Sequence, residues 1–189
     1  MKRMFLIAAA ALVSFAATAQ DLKFAYVDFT ELIQLMPEMD SARVQTEAAS
    51  VEAQETYQAM VEEFQTKYQQ FEQKKATWTP AIADSKAAEL QQIQQRIQEF
   101  EQAIQMDLQQ LQQTLQAPIY EKAQKQVEQL AKEKGFAAVF EKTSLLYIDP
   151  AQLYDLTPEA RVLLNIPADR TLETLQAELQ AKAQAAQAR

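Results

Sequence analysis

The side chains that most often carry out chemistry are missing from this 189-residue chain. It contains no histidine, no cysteine and a single glycine, Gly135. Without histidine and cysteine, a Cys/His zinc site, a Ser-His-Asp triad and a Cys-His nucleophile pair are all excluded. One glycine is too few for a Walker A loop or a GxGxxG dinucleotide-binding turn. The many carboxylates alternate with glutamine and lysine, which is typical of solvated helix faces. We therefore predict that the protein is not an enzyme and uses no metal or cofactor.

A local excess of positive charge lies between positions 67 and 86. Over this stretch four lysines face only Glu72 and Asp84, which leaves a local charge of +2. A solvated helix surface accounts for them, and the alternative is a basic tip that contacts acidic partners or membrane surfaces. The residues of this basic tip are Lys67, Lys74, Lys75 and Lys86.

The first 19 residues have the features of a secretory signal peptide. Lys2 and Arg3 form a basic start, residues 4–17 an apolar stretch, and residues 17–19 a small-residue cleavage site. Cleavage there predicts an exported chain with 16 basic and 26 acidic residues, a net formal charge of −10. That charge argues against a nucleic-acid partner, which requires a basic surface. Without cysteine the exported chain has neither a lipid-anchoring residue nor a disulfide, so packing alone must hold its fold.

Residues 41–117 have the pattern of two long helices that form a hairpin arm. Pro80 is the one proline in this stretch, and no glycine interrupts it. The dipeptide Thr79-Pro80 fits a helix start, which places the tip of the hairpin near residues 78–80. In the first helix, large apolar side chains recur at heptad spacing: Tyr57, Val61, Phe64, Tyr68 and Phe71.

The second helix of the arm carries an apolar seam with a different period. From Ile93 onward the spacing follows an 11-residue repeat, about 3.67 residues per turn, which does not match a strict heptad. We therefore expect the two helices to pair loosely or to splay toward the body. Pro118 predicts a bend where the arm ends. The seam residues are Leu90, Ile93, Ile97, Phe100, Ile104, Leu108, Leu111 and Leu115.

The flanking segments, residues 20–40 and 118–165, predict a small β-rich body. Asp28 and Glu31 form a capping-box pattern that starts a short helix, which Pro37 ends before the arm helix begins near residues 40–41. Gly135 caps a further helix that starts at Pro118. Strands are predicted at residues 24–29, 136–140 and 145–148, the last two joined by a four-residue connection.

After the body, Thr157-Pro158 opens another helix, and residues 166–189 form an Ala/Gln-rich helical tail. Together these elements predict an α+β fold that is mostly helical. A long antiparallel helical hairpin projects from a small β body.

Several of these features together resemble the Skp (OmpH) family of periplasmic chaperones. The resemblance covers residues 22–165 and is carried above all by residues 131–136, 146–150 and 155–157. It implies a homotrimer shaped like a jellyfish, in which the β body holds the subunits together and three arms enclose a cavity. It also implies an ATP-independent periplasmic holdase that binds unfolded outer-membrane β-barrel proteins and keeps them from aggregating.

Within this arrangement we predict two sets of contact residues. Aromatic side chains and methionine offer adaptable apolar surface, so the arm would hold clients through them, with Trp78 at the tip the most exposed. The competing interpretation is that they form the seam of the hairpin. The client-binding candidates are Tyr57, Met60, Phe64, Tyr68, Phe71 and Trp78. Subunit packing is assigned to Phe24, Tyr26, Val27, Val139, Phe140, Leu146 and Tyr147.

The net charge of the chain bears on its choice of partners. The members of the family that define its properties are basic, whereas this chain is acidic, which argues against contact with lipopolysaccharide or anionic membranes.

The alternative function is a structural coiled-coil spacer or adaptor of the cell envelope. Against a spacer, Trp78-Thr79-Pro80 interrupts the hairpin and strand-forming segments flank it, whereas a rod would be continuous.

Overall fold

The computed structural model describes residues 22–187. The predicted signal peptide, residues 1–19, and the last two residues of the tail lie outside the described residues. Mostly helical, with a long helical hairpin and a small sheet, the structure confirms the predicted α+β fold class. Its elements in chain order are β1 (Lys23–Val27), α1 (Phe29–Leu35), α2 (Pro37–Lys74), a 3-10 turn (Lys75–Thr77), α3 (Pro80–Lys134), β2 (Phe136–Glu141), a 3-10 turn (Lys142–Ser144), β3 (Leu153–Asp155), α4 (Thr157–Leu163) and α5 (Leu172–Gln187).

The arm consists of two antiparallel helical segments. One is α2 without its first turns, and the other is the first two thirds of α3. The two helices have 38 and 55 residues, so at ~1.5 Å per residue they extend roughly 57 and 82 Å. The helix α3 continues through Pro118, so the separate helix predicted from this proline is wrong. One missing backbone hydrogen bond does not end the helix, because Ile119 and Ala123 directly after the proline are buried in the body.

The start of the arm also differs from the prediction. Pro37 begins α2, where we expected it to end α1 and the arm helix to start at residues 40–41. Proline suits the first turn of a helix, because no backbone N–H there has an intrahelical partner to lose. Met36 has an extended backbone and separates the two helices.

The three strands form one parallel sheet in the order β2-β1-β3. The prediction of a strand at residues 145–148 is wrong, and so is the short connection from β2, because the third strand is Leu153–Asp155. Both outer strands run parallel to β1 on opposite sides of it. The chain must therefore cross from one edge of the sheet to the other after β2, and residues 142–152 make this crossing.

The core of the body lies on one face of the sheet, and all five helices contribute buried side chains to it. Side chains alternate across a strand, so Ala25 and Val27 of β1 point into this core. No helix among residues 22–187 covers the opposite face, which carries Phe24 and Tyr26. The buried cluster contains Ala25, Val27, Leu32, Ile33, Leu35, Met36, Met39, Ala42, Ile119, Ala123, Val127, Leu130, Ala131, Leu156, Ala160, Leu164, Ile166 and Leu175.

Two helix caps link the sequence to this arrangement. The backbone N–H of Glu31 donates to Asp28 Oδ1 at 2.9 Å, as the capping-box pattern predicts, but the Glu31 carboxylate pairs with Arg161 and does not return to Asp28. The N–H of Asp28 donates instead to Thr157 Oγ1 at 3.0 Å, which ties α1 to α4. Gly135 ends α3 with a left-handed φ of 72°, which confirms the predicted cap.

Candidate functional site

The described residues hold no cluster of acidic side chains that could bind a metal ion, and none of their helices is long and apolar enough to cross a membrane. The regions with unusual physical character are surfaces. One follows the seam between the helices of the arm, and the other is the uncovered face of the sheet.

The six client-binding candidates differ in their exposure. Tyr68 is exposed and stacks on Phe64, with ring centroids 6.0 Å apart. Trp78 is half-buried because it packs edge-on against Phe71 with ring centroids 5.9 Å apart, so the expectation that it is the most exposed of the six is wrong. The remaining four are half-buried between the helices of the arm: Tyr57, Met60, Phe64 and Phe71.

The outer half of the arm, toward the tip, is closely packed. Ile93 lies there with only 1% of its surface exposed. Every other side chain between positions 43 and 118 is half-buried or exposed. Ion pairs cross the seam on both sides of it, from Lys67 to Glu89 and from Arg96 to Glu63 at 3.3 Å. Burial and charge together fix the register of the two helices in this half.

The inner half of the arm, toward the body, leaves space between its helices. Cavities of about 540 and 380 Å³ open on either side of the seam. At the seam α2 contributes small side chains, Ala49, Ser50 and Ala53, whereas α3 contributes large apolar ones, Phe100, Ile104, Leu108 and Leu111. Polar side chains of both helices also line the cavities, among them Gln54, Thr56, Glu101 and Asp107.

The looseness of this half has a different cause from the one the sequence indicated. In this half the half-buried positions of α2 beyond Arg43 are Thr46, Ala49, Ala53 and Tyr57, spaced 3, 4, 4, which fits the 11-residue repeat of α3, so a mismatch in period does not explain the cavities here. Toward the tip, Tyr57, Val61, Phe64 and Phe71 keep the predicted heptad spacing. The cavities arise because alanines on α2 are too small to fill the space opposite α3.

Tyr57 lies at the outer end of these cavities and interacts across the arm. A hydrogen bond to Glu101 and the nearby negative charge raise the pKa of the Tyr57 hydroxyl. The hydroxyl of Tyr57 is therefore held by the opposite helix, while its ring lines the open cavity. Such a side chain can both pair the two helices and contact a ligand.

The basic tip is largely neutralised within the arm. Lys86 pairs with Glu89 at 2.8 Å and Lys75 with Glu72 at 2.8 Å, while Lys67 pairs with Glu89 from the other helix. Hydrogen bonds from Lys67 and Lys86 lower the pKa of Glu89 to about 2. Glu89 lies just outside the window in which the lysines were counted. The tip is therefore less basic than its sequence indicated.

The uncovered face of the sheet is apolar and exposed. Phe24 and Phe140 pack on each other there with centroids 6.1 Å apart, and 40% of Phe140 is accessible. In the crossing after β2, Leu146 is 107% exposed and Tyr147 79%. We call these four residues the open body surface.

Two residues assigned to subunit packing lie elsewhere. Val27 is buried, and Val139 packs against the same internal core, paired with Ala25 across the sheet. We therefore withdraw both from the contacts between subunits. Tyr26 remains on the uncovered face beside Phe140.

The outer edge of β2 is also free. No other strand among residues 22–187 pairs with it, and a cavity of about 510 Å³ lies between this edge and the last turns of α3. An unpaired strand edge beside an apolar groove exposes backbone donors and acceptors that another strand can satisfy.

Comparison with known proteins agrees with this architecture. Residues 23–161 match the model of the family described as outer membrane protein (OmpH-like). The chain belongs to this OmpH-like family. The match confirms the resemblance seen in the sequence and covers the whole arm and nearly all of the sheet and its helices. It ends at Arg161, before the tail.

A solved structure shares the fold. It is a candidate outer membrane chaperone (OmpH-like) from Caulobacter crescentus CB15, with a TM-score of 0.68 and 13% sequence identity. The likeness covers 79% of this chain and 90% of that chain. No curated protein sequence matches the chain.

The sequence left two features undetected, the cavities beside Ala53 and the docking of Leu175 from the tail into the core. It placed Ile93 in the apolar seam but did not single it out as the most buried residue there. A signal existed for the cavities, because Ala49 and Ala53 continue the spacing of the apolar positions on α2. A seam defined only by large side chains omits them.

Proposed function

We propose that this OmpH-like protein is an ATP-independent periplasmic holdase that binds unfolded outer-membrane β-barrel proteins and prevents their aggregation. The observation that carries the proposal is the unfilled apolar seam in the inner half of the arm. A hairpin that served only as a rod would gain stability by filling this space, because cavities in a packed interface are destabilising.

Clients would be held through many weak contacts along the arm. Partial burial of one aromatic side chain contributes about 1 kcal/mol, so several contacts hold a chain while each one remains easy to break. The exposed Tyr68 and the rims of the inner cavities, with Tyr57 and Phe100, offer such contacts. A holdase without a nucleotide cycle requires this balance, because release must occur by spontaneous dissociation.

We propose further that the protein assembles as a homotrimer through its body. The open body surface supports this, since exposed patches of apolar side chains mark interaction sites. The free edge of β2 offers backbone pairing at the same place. The three subunits would then bury Phe24, Phe140, Leu146 and Tyr147 and direct their arms to one side, around a shared client cavity.

The alternative is a structural spacer or adaptor of the cell envelope. The closely packed outer half of the arm, with Ile93 and its ion pairs, is what a rigid spacer requires. A spacer has no use for the inner cavities, so the two functions differ in their response to cavity filling.

Substituting Ala53 by leucine tests this difference. Ala53 lines both cavities, and the larger side chain narrows them at the seam while improving the contact with Ile104 and Leu108. If the seam holds clients, Ala53→Leu suppresses less aggregation of a urea-diluted outer-membrane β-barrel, measured by light scattering. Ala59→Leu adds the same side chain to the exposed face of α2 and is the matched control. Equal suppression by both variants would contradict the assignment of clients to this seam.

A further inference from the structure

The chain continues beyond the family match into a segment that is firmly docked. The match ends at residue 161, and α5 begins eleven residues later. Ile166 and Leu175 are nevertheless part of the buried cluster, with Leu175 only 4% exposed. The Ala/Gln-rich tail therefore completes the core of the body.

Two arginines hold the connection between α4 and α5. Arg161 donates to the backbone oxygens of Pro167 at 3.0 Å and Arg170 at 2.5 Å, and it also pairs with Glu31 of α1. Arg170 pairs with Asp40, in the first turn of α2, at 2.7 Å. Guanidinium groups donate hydrogen bonds both to backbone oxygens and to carboxylates. The two arginines therefore hold the segment between α4 and α5 against α1 and against the start of α2.

The helix α5 lies across the junction of body and arm. At one end, Leu175 packs in the body core with residues of α1. One turn later, Leu179 faces Ala42 and Val51 of α2 across a groove of about 390 Å³. The start of the arm helix shares the buried cluster with Leu175 through Met39 and Ala42, and Asp40 pairs with Arg170 just before α5. The helix α5 thus joins the body core to the base of the arm and lines a groove with the first four turns of α2.

We propose that α5 and its arginines form a brace that fixes the angle between arm and body. A two-helix arm tens of ångströms long acts as a lever, so small rotations at its base give large displacements at its tip. Contacts on both sides of the base resist that rotation. This goes beyond the proposed holdase activity, because it assigns a conformational role to a segment that the OmpH-like family match does not include.

The brace can be tested by measuring the spread of arm positions without any client. The chain has no cysteine, so Gln58→Cys on the exposed side of α2 and Gln152→Cys on the body carry spin labels without background. Position 58 lies ~30 Å along the helix from Pro37, at ~1.5 Å per residue. Pulsed electron paramagnetic resonance then gives the distance distribution, with labelled chains diluted in unlabelled ones so that pairs within one chain dominate.

The brace is weakened by combining Arg170→Met with Leu179→Ala. We expect the amides of α5 to exchange hydrogen about tenfold faster, because a charge-assisted hydrogen bond of this kind contributes on that order. In the same sample the distance distribution broadens. Lys182→Met removes a charge from an exposed position of α5 and leaves both readouts unchanged.

The single change Arg170→Met provides a milder second variant that keeps all apolar side chains of the tail. It must shift both readouts in the same direction, by a smaller amount. Faster exchange in α5 with an unchanged distance distribution refutes the brace. Unchanged exchange in the double variant also refutes it, since the contacts named here would then not hold the helix.

Discussion

Replacing Ile93 by alanine is expected to destabilise the arm more than any other single truncation of an arm side chain. Between positions 43 and 118, a stretch the structure describes completely, Ile93 is the one fully buried side chain. The other apolar positions of the arm keep part of their surface in water, so they have less to lose.

The magnitude follows from the burial. Truncating a buried isoleucine to alanine costs about 2–5 kcal/mol, and we expect ~3 kcal/mol here because a two-helix arm can partly collapse around the gap. Ile93→Val leaves a smaller gap and should cost about 1 kcal/mol. Ile82→Ala is the matched control, because Ile82 is 45% exposed near the tip and its loss should cost no more than about 0.5 kcal/mol.

Trp78 provides the assay, since it is the one tryptophan in the chain and packs on Phe71 at the tip. Its fluorescence during urea titration reports unfolding of the arm. With a slope of ~2 kcal/mol per molar urea, a loss of ~3 kcal/mol lowers the midpoint by roughly 1.5 M. An Ile93→Ala midpoint equal to that of Ile82→Ala would show that the outer half of the arm is not held by this side chain.

Three further predictions address charge, backbone and assembly. The pKa of Glu89, about 2 against a usual 4.5, means that its ion pairs stabilise the arm above pH 4.5 and are lost as the pH falls toward 2. Above pH 4.5 the parent chain should therefore have a higher urea midpoint than Glu89→Gln, as read from Trp78 fluorescence, and this difference should disappear as the pH falls toward 2. A difference that does not change with pH contradicts the pairing. Gly135→Ala should cost about 1–2 kcal/mol in thermal unfolding, because φ is 72° and no atom crowds the added methyl, and Gly135→Asn should cost less. Combining Phe140→Ser with Leu146→Ser should lower the sedimenting mass without unfolding the chain, and a parent chain that sediments as a monomer at micromolar concentration refutes the trimer.

The sequence predicted the arm well because its signals are local. The turn at residues 78–80, the absence of glycine from two long helices and the cap at Gly135 each depend on neighbouring residues alone. Helix spacing likewise marked the apolar faces of α2 and α3. These are the features that propensity, capping and periodicity decide.

The errors arose where distant parts of the chain decide the structure. Residues 145–148 have the composition of a strand, yet β1 takes its partners from β2 and Leu153–Asp155, so this apolar run stays on the surface. Ala53 is seen to matter only when Ile104 of the other helix is placed beside it. The docking of Leu175 requires an internal core that exists only once the body has formed.

We propose that this OmpH-like chain keeps unfolded outer-membrane proteins from aggregating without an energy source. The direct measurement is light scattering after an outer-membrane β-barrel is diluted from urea into buffer that contains the purified chain without its first 19 residues and no nucleotide. We expect scattering to be suppressed at about one assembled trimer per client, and added ATP to change nothing. Scattering equal to that seen with an unrelated acidic protein at the same concentration would contradict it and favour the structural alternative.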